Sequence, residues 1–215
     1  HDDVVTFFHE FGHLMHDLLT RTELSAQAGT NVARDFVEMP SQIFENWAWD
    51  YNALQLFARH YKTNEVLPKE LFKKMIAARN VGSGLQTLQQ IFYGTLDLTY
   101  HDKYNPSGQE TTTDIVRKLQ NEITLYKFHE GTHFEAGFGH LSGYAAGYYS
   151  YLWAKVFSED MFSVFLQKGV MDKETGMKLR KIVLEKGSSV DELEMVKEFL
   201  GREPNQEAFL KSIGL

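Results

Sequence analysis

The sequence has no cysteine, which excludes a disulfide framework and every metal site built on thiolate. It leaves the compartment open, since cytosolic and secreted chains alike can lack cysteine; the expectation taken forward is cytoplasmic. Basic residues are in the minority: 22 Lys and Arg against 29 Asp and Glu give a net charge of −7 at pH 7. No run of Lys and Arg supplies the basic stripe that a nucleic-acid partner requires. No apolar run approaches the ~20 residues of a membrane span, so neither nucleic acid nor membrane is an expected partner. An initiating Met is missing too. The chain opens HDDVV and reads as a fragment with its N-terminus elsewhere, so no targeting segment can be read.

What is present can build a core: 43% of residues are hydrophobic and 13% aromatic. Only four prolines interrupt 215 residues, and long stretches carry helical spacing with no convincing alternating strand. The fold class expected is mainly α. A first helix is predicted over 3–20. Phe7, Phe11, Leu14 and Leu18 form an apolar stripe of the kind a helix buries; Val4, Phe8, Met15 and Leu19 lie beside it, and Asp2, Thr6, His9, His13 and His16 make a polar stripe. A second helix is predicted over 32–60, kinked by Pro40. Others follow at 68–80, with Pro68 at its start, at 84–101, and at 112–128, with Thr113 or Asp114 as cap. Residues 129–143 are glycine-rich and read as irregular. A long helix is expected at 144–168, then helices at 172–186, 189–200 and 204–212. Even composition gives no domain boundary.

His9-Glu10-Phe11-Gly12-His13 fits H-E-x-x-H. Residues four apart on a helix share a face, so both imidazoles can reach one ion at ~2.0–2.1 Å. Glu10 lies roughly 100° round the helix from His9, where it can touch a metal-bound water without being a ligand. A catalytic zinc needs a third protein ligand and an open position. In "RDFVEMPSQIFENW" the residues Asp35, Glu38, Gln42 and Glu45 fall along one face. Glu38 is preferred, but spacing alone does not separate it from Glu45. His16 continues the histidine face; a fourth protein ligand would close the site, so it reads as a packing group. Asp2, Asp3 and Asp35 are candidates to accept the second N–H of the ligating histidines. His60 and His101 carry no partner pattern.

The blocks "FFHEFGHLMH", "GTNVARDFVEMPSQIFENW" and "FGHLSGYAAGYYSYLWAKVFSEDMF" resemble, in order, the thimet oligopeptidase family of zinc metallopeptidases. That group includes oligopeptidase A, neurolysin and the peptidyl-dipeptidases. The closing "FLGREPNQEAFLKSIGL" resembles that family's C-terminus. The resemblance implies that residues 1–215 are the C-terminal part of a zincin-type catalytic domain, one Zn²⁺ per chain, with the N-terminal part of the same protein as a missing partner. It implies Glu38 as third ligand beside His9 and His13, and Glu10 as the base that activates the zinc-bound water. It further implies that His140, Tyr144 and Tyr151 assist substrate binding and the oxyanion. Tyr148 and Tyr149 read instead as packing residues of a tyrosine-rich helix, and the glycines between 131 and 147 suggest a mobile loop over the substrate. The expected function is hydrolysis of internal peptide bonds in short oligopeptides. The runner-up is a peptidyl-dipeptidase releasing C-terminal dipeptides. From a different class comes a non-catalytic helical interaction domain with a vestigial zinc site.

Overall fold

A computed structural model describes residues 1–215. The fold is helical as expected, with no strand and a single isolated bridge between Arg59 and Val66. The helices are α1 (Asp2–Leu19), α2 (Glu38–Glu45), α3 (Tyr51–Phe57), α4 (Lys69–Arg79), α5 (Ser83–Asp102), α6 (Thr112–Ile123), α7 (Phe134–Gly137), α8 (His140–Gly143), α9 (Ser150–Lys168), α10 (Lys173–Leu179), α11 (Glu192–Leu200) and α12 (Glu207–Ser212). No helix is long and apolar enough to cross a membrane. The chain divides into two compact units, one formed by residues 1–81 with 154–215 and the other by 82–153, a division that even composition hides.

The first unit is organised by α1 and α2, which make the most extensive helix–helix packing in the chain. Its core joins Phe36, Met39 and Ile43 to Met161, Phe165, Val183 and Phe199, and Trp47 closes over it, its indole N–H donating to the Val170 carbonyl at 3.0 Å. The helix predicted at 32–60 is broken into turns over 34–37, α2, a 3₁₀ segment Asn46–Trp49, and α3. Pro40 causes no kink. It lies in the first turn of α2, where the ring removes an N–H that has no intrahelical partner in any case. The break before α3 belongs to Asp50, whose side chain caps that helix by accepting from Ala53 N at 3.0 Å.

Orientation of α1 departs from the amphipathic reading. Phe7 and Leu18 are 66% and 67% exposed, Phe11 and Leu14 are exposed as well, and His16 is fully buried. The histidine face is turned into the unit and the strongest apolar stripe away from it. Gly12 explains the choice: a Cβ there would lie 2.6 Å from Ser41 Cα and 2.7 Å from the Pro40 carbonyl oxygen. The missing side chain lets the two backbones meet on the polar side of α1.

The second unit packs α5 on α6 around Phe92, Leu96, Ile115, Val116, Phe138 and Tyr148. The cap of α6 is Thr111, not Thr113 or Asp114. It forms a reciprocal capping box with Asp114, and the helix ends at Ile123. The expected irregular stretch 129–143 contains the single-turn helices α7 and α8. The helix predicted from residue 144 starts only at Ser150, because Ala146 adopts a left-handed φ of 55°, which no α-helix tolerates. In the first unit, the helix predicted at 172–186 is α10 followed by one π-helical stretch, Arg180–Leu184.

Candidate metal centre and aromatic cluster

His9 and His13 stand one turn apart on α1, with ring centroids 5.0 Å apart. Glu38 is the first residue of α2, where the helix N-terminus favours a carboxylate. It is buried, not part of a solvated face. Its Oε2 lies 3.2 Å from His9 Nε2 and 3.2 Å from His13 Nε2, and Ser41 Oγ donates to the same oxygen at 3.0 Å. The two histidines and Glu38 offer ligand atoms that all lie within 4.8 Å of one another.

The donor set fits a cation. His9 Nδ1 lies 2.8 Å from Glu45 Oε1, and an ionised carboxylate only accepts, so the imidazole proton belongs on Nδ1. A neutral His9 then offers a lone pair at Nε2, facing the Glu38 oxygen, a second acceptor. Two acceptors at this distance repel unless a proton or a metal ion lies between them. Ligands held tetrahedrally around zinc at its usual bond lengths are about 3.3–3.5 Å apart, close to the separations here. The same demand for positive charge appears in the electrostatics of the pair. Burial opposes charging His9, but its hydrogen bonds to Glu38 and Glu45 outweigh that and push its pKa up to about 9. Burial likewise opposes charge on Glu38, yet the hydrogen bonds from His13 and His9 hold it at about 2.

Glu45, left open on spacing as an alternative third ligand, instead holds His9. The carboxylate that takes His9 Nδ1 is therefore none of Asp2, Asp3 and Asp35. Its other oxygen, Oε2, accepts from Lys155 Nζ at 3.1 Å, and the same ammonium lies 3.1 Å from Glu159 Oε1. Burial opposes both charges, but the pairing keeps Glu45 below the usual carboxylate range and Lys155 above the usual ammonium range. This chain orients the ring and fixes its tautomer, as partners of ligating histidines commonly do. Sequence reasoning missed Lys155, 110 residues away. Glu10 is exposed, between the two histidines on α1. His16 is outside the ligand cluster. Neither of its ring nitrogens has a hydrogen-bond partner, and burial lowers its pKa to about 4, so the ring is a neutral packing group.

In the second unit, His140, Tyr144 and Tyr151 come together. Tyr144 and Tyr151 stack with centroids 5.5 Å apart, and His140 stands edge-on to both at 6.1 and 6.0 Å. With Tyr93, Phe134, Phe138 and Tyr148 they line a cavity of about 610 Å³, within the size range of small-ligand sites. Tyr144 Oη lies 3.0 Å from Ser150 Oγ. Tyr148 is a packing residue, buried, with its hydroxyl donating to Gln90 Oε1 at 2.9 Å. Tyr149 is 38% exposed. His101, which offered no pattern in sequence, lies beside the buried carboxylate of Asp97, its Nδ1 3.0 Å from Asp97 Oδ1.

Comparison with known proteins adds relatives to this geometry. The sequence profile described as "Peptidase family M3" matches residues 1–215. The chain is 44% identical over 218 residues to thimet-like oligopeptidase from Dictyostelium discoideum, covering 100% of this chain and 32% of that protein. It is 40% identical to oligopeptidase A from Salmonella typhimurium, again covering 100% and 32%. To saccharolysin from Saccharomyces cerevisiae it is 40% identical over 224 residues, covering 100% and 31%. The chain thus spans about a third of the length of these curated relatives.

Proposed function

The chain belongs to peptidase family M3, and from that premise we propose that residues 1–215 are the zinc-bearing part of a longer metallopeptidase that hydrolyses internal bonds of short oligopeptides. The observation that carries the reading is the convergence of His9 Nε2, His13 Nε2 and Glu38 Oε2 on one point. Two relatives named as oligopeptidases support the substrate class. His9, His13 and Glu38 hold one zinc ion per chain. Bound there, zinc polarises a peptide carbonyl and lowers the pKa of water.

The role of Glu10 is proton transfer. Its carboxylate takes a proton from the water that attacks the carbonyl carbon, then delivers it to the amide nitrogen as the C–N bond breaks, leaving a carboxylate and an amine. Glu45 holds His9 with Nε2 free to ligate. The part proposed for Tyr151, Tyr144 and His140 is that of hydrogen-bond donors of the kind that stabilise an oxyanion. Glu10→Gln tests the assignment in the longer enzyme, with metal analysis beside cleavage of a quenched fluorescent peptide. Metal content should stay stoichiometric while turnover falls by roughly 10²–10⁴-fold. Undiminished hydrolysis would remove Glu10 from the mechanism, and hydrolysis indifferent to a chelator would remove the metal.

A further inference from the structure

Along α5, Gln90, Gly94, Asp97 and His101 recur at spacings of four, three and four, which places them on one face of the helix. Each either touches the 146–149 segment or backs a residue that does. Asp97 is fully buried. Its Oδ1 accepts from Ala146 N at 3.0 Å and its Oδ2 from Tyr148 N at 2.9 Å. His101 Nδ1 lies 2.8 Å from the Asp97 carbonyl oxygen and 3.0 Å from Oδ1. At Gly94 the segment comes so near that a Cβ would lie 3.3 Å from Tyr149 Cα. Gln90 accepts from the Tyr148 hydroxyl at 2.9 Å. The segment so held contains Ala146 at φ 55°, a conformation an L-residue leaves unless something holds it.

We propose that Asp97, backed by His101 and the Gly94 notch, is a positioning residue that pins the 146–149 turn and thereby sets Tyr144 and Tyr151 for their part in the reaction. Both carboxylate oxygens are used, by two different N–H groups. An amide in the same place supplies one acceptor and turns its NH₂ towards the other N–H. Asp97→Asn therefore should release one end of the turn without substituting any residue of the cavity lining.

The link to catalysis rests on the proposed role of the tyrosines; the link to the turn does not. In the longer enzyme, Asp97→Asn should speed amide exchange at Ala146 and Tyr148 more than tenfold and leave α6 amides unchanged. Metal content should be full, kcat should fall at least tenfold, and KM should change less than threefold. In a Tyr151→Phe background, Asp97→Asn should lower kcat by less than threefold further. Adding Ala146→Gly, which removes the conformational penalty, should restore part of the lost kcat. Unchanged exchange at Ala146 and Tyr148 would overturn the anchor. Full multiplication of the Asp97 and Tyr151 effects would overturn action through the tyrosine. Gly94→Ala keeps the test alive if the buried Asn prevents folding: its Cβ must displace Tyr149 slightly, so kcat should drop severalfold, and a wild-type kcat would count against the proposal. If Tyr151→Phe alone leaves kcat unchanged, the oxyanion reading fails while the exchange measurement still judges the anchor.

Discussion

In one unit, three candidate ligand atoms come from two helices whose backbones nearly touch at Gly12; in the other, His140, Tyr144 and Tyr151 come from a single helical turn, an irregular segment and a helix start. The first arrangement is set by packing. A one-turn repeat on α1 and the first residue of α2 are brought together by an interface with no room for a methyl group. The second is set by acceptors. A buried carboxylate holds a strained segment, and no glycine of α7 or α8 has a neighbour within 4 Å of where its Cβ would be. Under the proposed function the contrast has a use: a fixed ion needs fixed ligands, while a peptide needs a wall that can be entered and left. The histidines differ in the same way, His16 sealed and neutral and His140 exposed.

The sharpest way to break this contrast is Gly12→Ala. The added carbon meets backbone atoms of Pro40 and Ser41 at 2.6–2.7 Å, which cannot swing aside as a side chain can. Overpacking of a tight interface costs typically 1–3 kcal/mol, and the loss here should sit near the top, about 3 kcal/mol, with weakened metal binding because α2 carries Glu38 away from α1. Denaturant unfolding and metal titration of the variant measure both. Stability and metal affinity equal to wild type would show that the α1–α2 contact does not set the site.

The two regions also differ in how far they could be read in advance. The pair His9 and His13 is legible because a period-four repeat is local geometry. Glu38 against Glu45 is not legible from spacing, since both face the same way; only the family resemblance of the block that contains "RDFVE" separates them, and the structure gives Glu45 its own task on His9 Nδ1. The burial of α1 was read on the wrong side, because amphipathic reasoning weighs side chains and cannot see that an absent one, at Gly12, admits the neighbouring helix. The start of α9 was misplaced for a related reason. Nothing within residues 144–149 announces a left-handed Ala146; the group that holds it is Asp97, 49 residues earlier. The Asp50 cap is a local signal hidden inside an apolar periodic stretch, and at α6 three successive threonines leave the capping residue ambiguous until the Thr111–Asp114 box is seen.

A second, slightly smaller effect sharpens the contrast between sealed and exposed histidines. Burial depresses the folded-state pKa of His16 from 6.5 to about 4. Below 6.5 the unfolded chain binds a proton that the folded chain refuses until about pH 4, so stability falls with pH across that window and is unaffected above it. His16→Leu removes the proton site. Comparing metal-free wild type and variant at pH 7.5 and pH 4.5 by chemical denaturation cancels the titration of the other groups. The wild type should lose about 2–3 kcal/mol more than the variant between those conditions. Equal losses would mean that His16 is not sealed in solution.

The smallest expected effect belongs to the second unit and is the comparator for Gly12. Gly137 ends the single turn α7, has no positive φ, lines the aromatic cavity, and has open space where a Cβ would go. Alanine there restricts the unfolded chain and is better suited to a helical turn, effects worth roughly 0.4–1 kcal/mol in favour of folding at a fully compatible site. At a helix end the gain should be only a few tenths, so Gly137→Ala should leave the unfolding midpoint unchanged or slightly raised, with full metal content. Because Gly137 lines the cavity, the added methyl group should alter KM for a bulky peptide more than it alters stability. If this substitution instead cost as much as Gly12→Ala, the aromatic region would be packed as closely as the helix pair that holds the proposed metal ligands, and the division between a fixed centre and an accommodating wall would have to be abandoned.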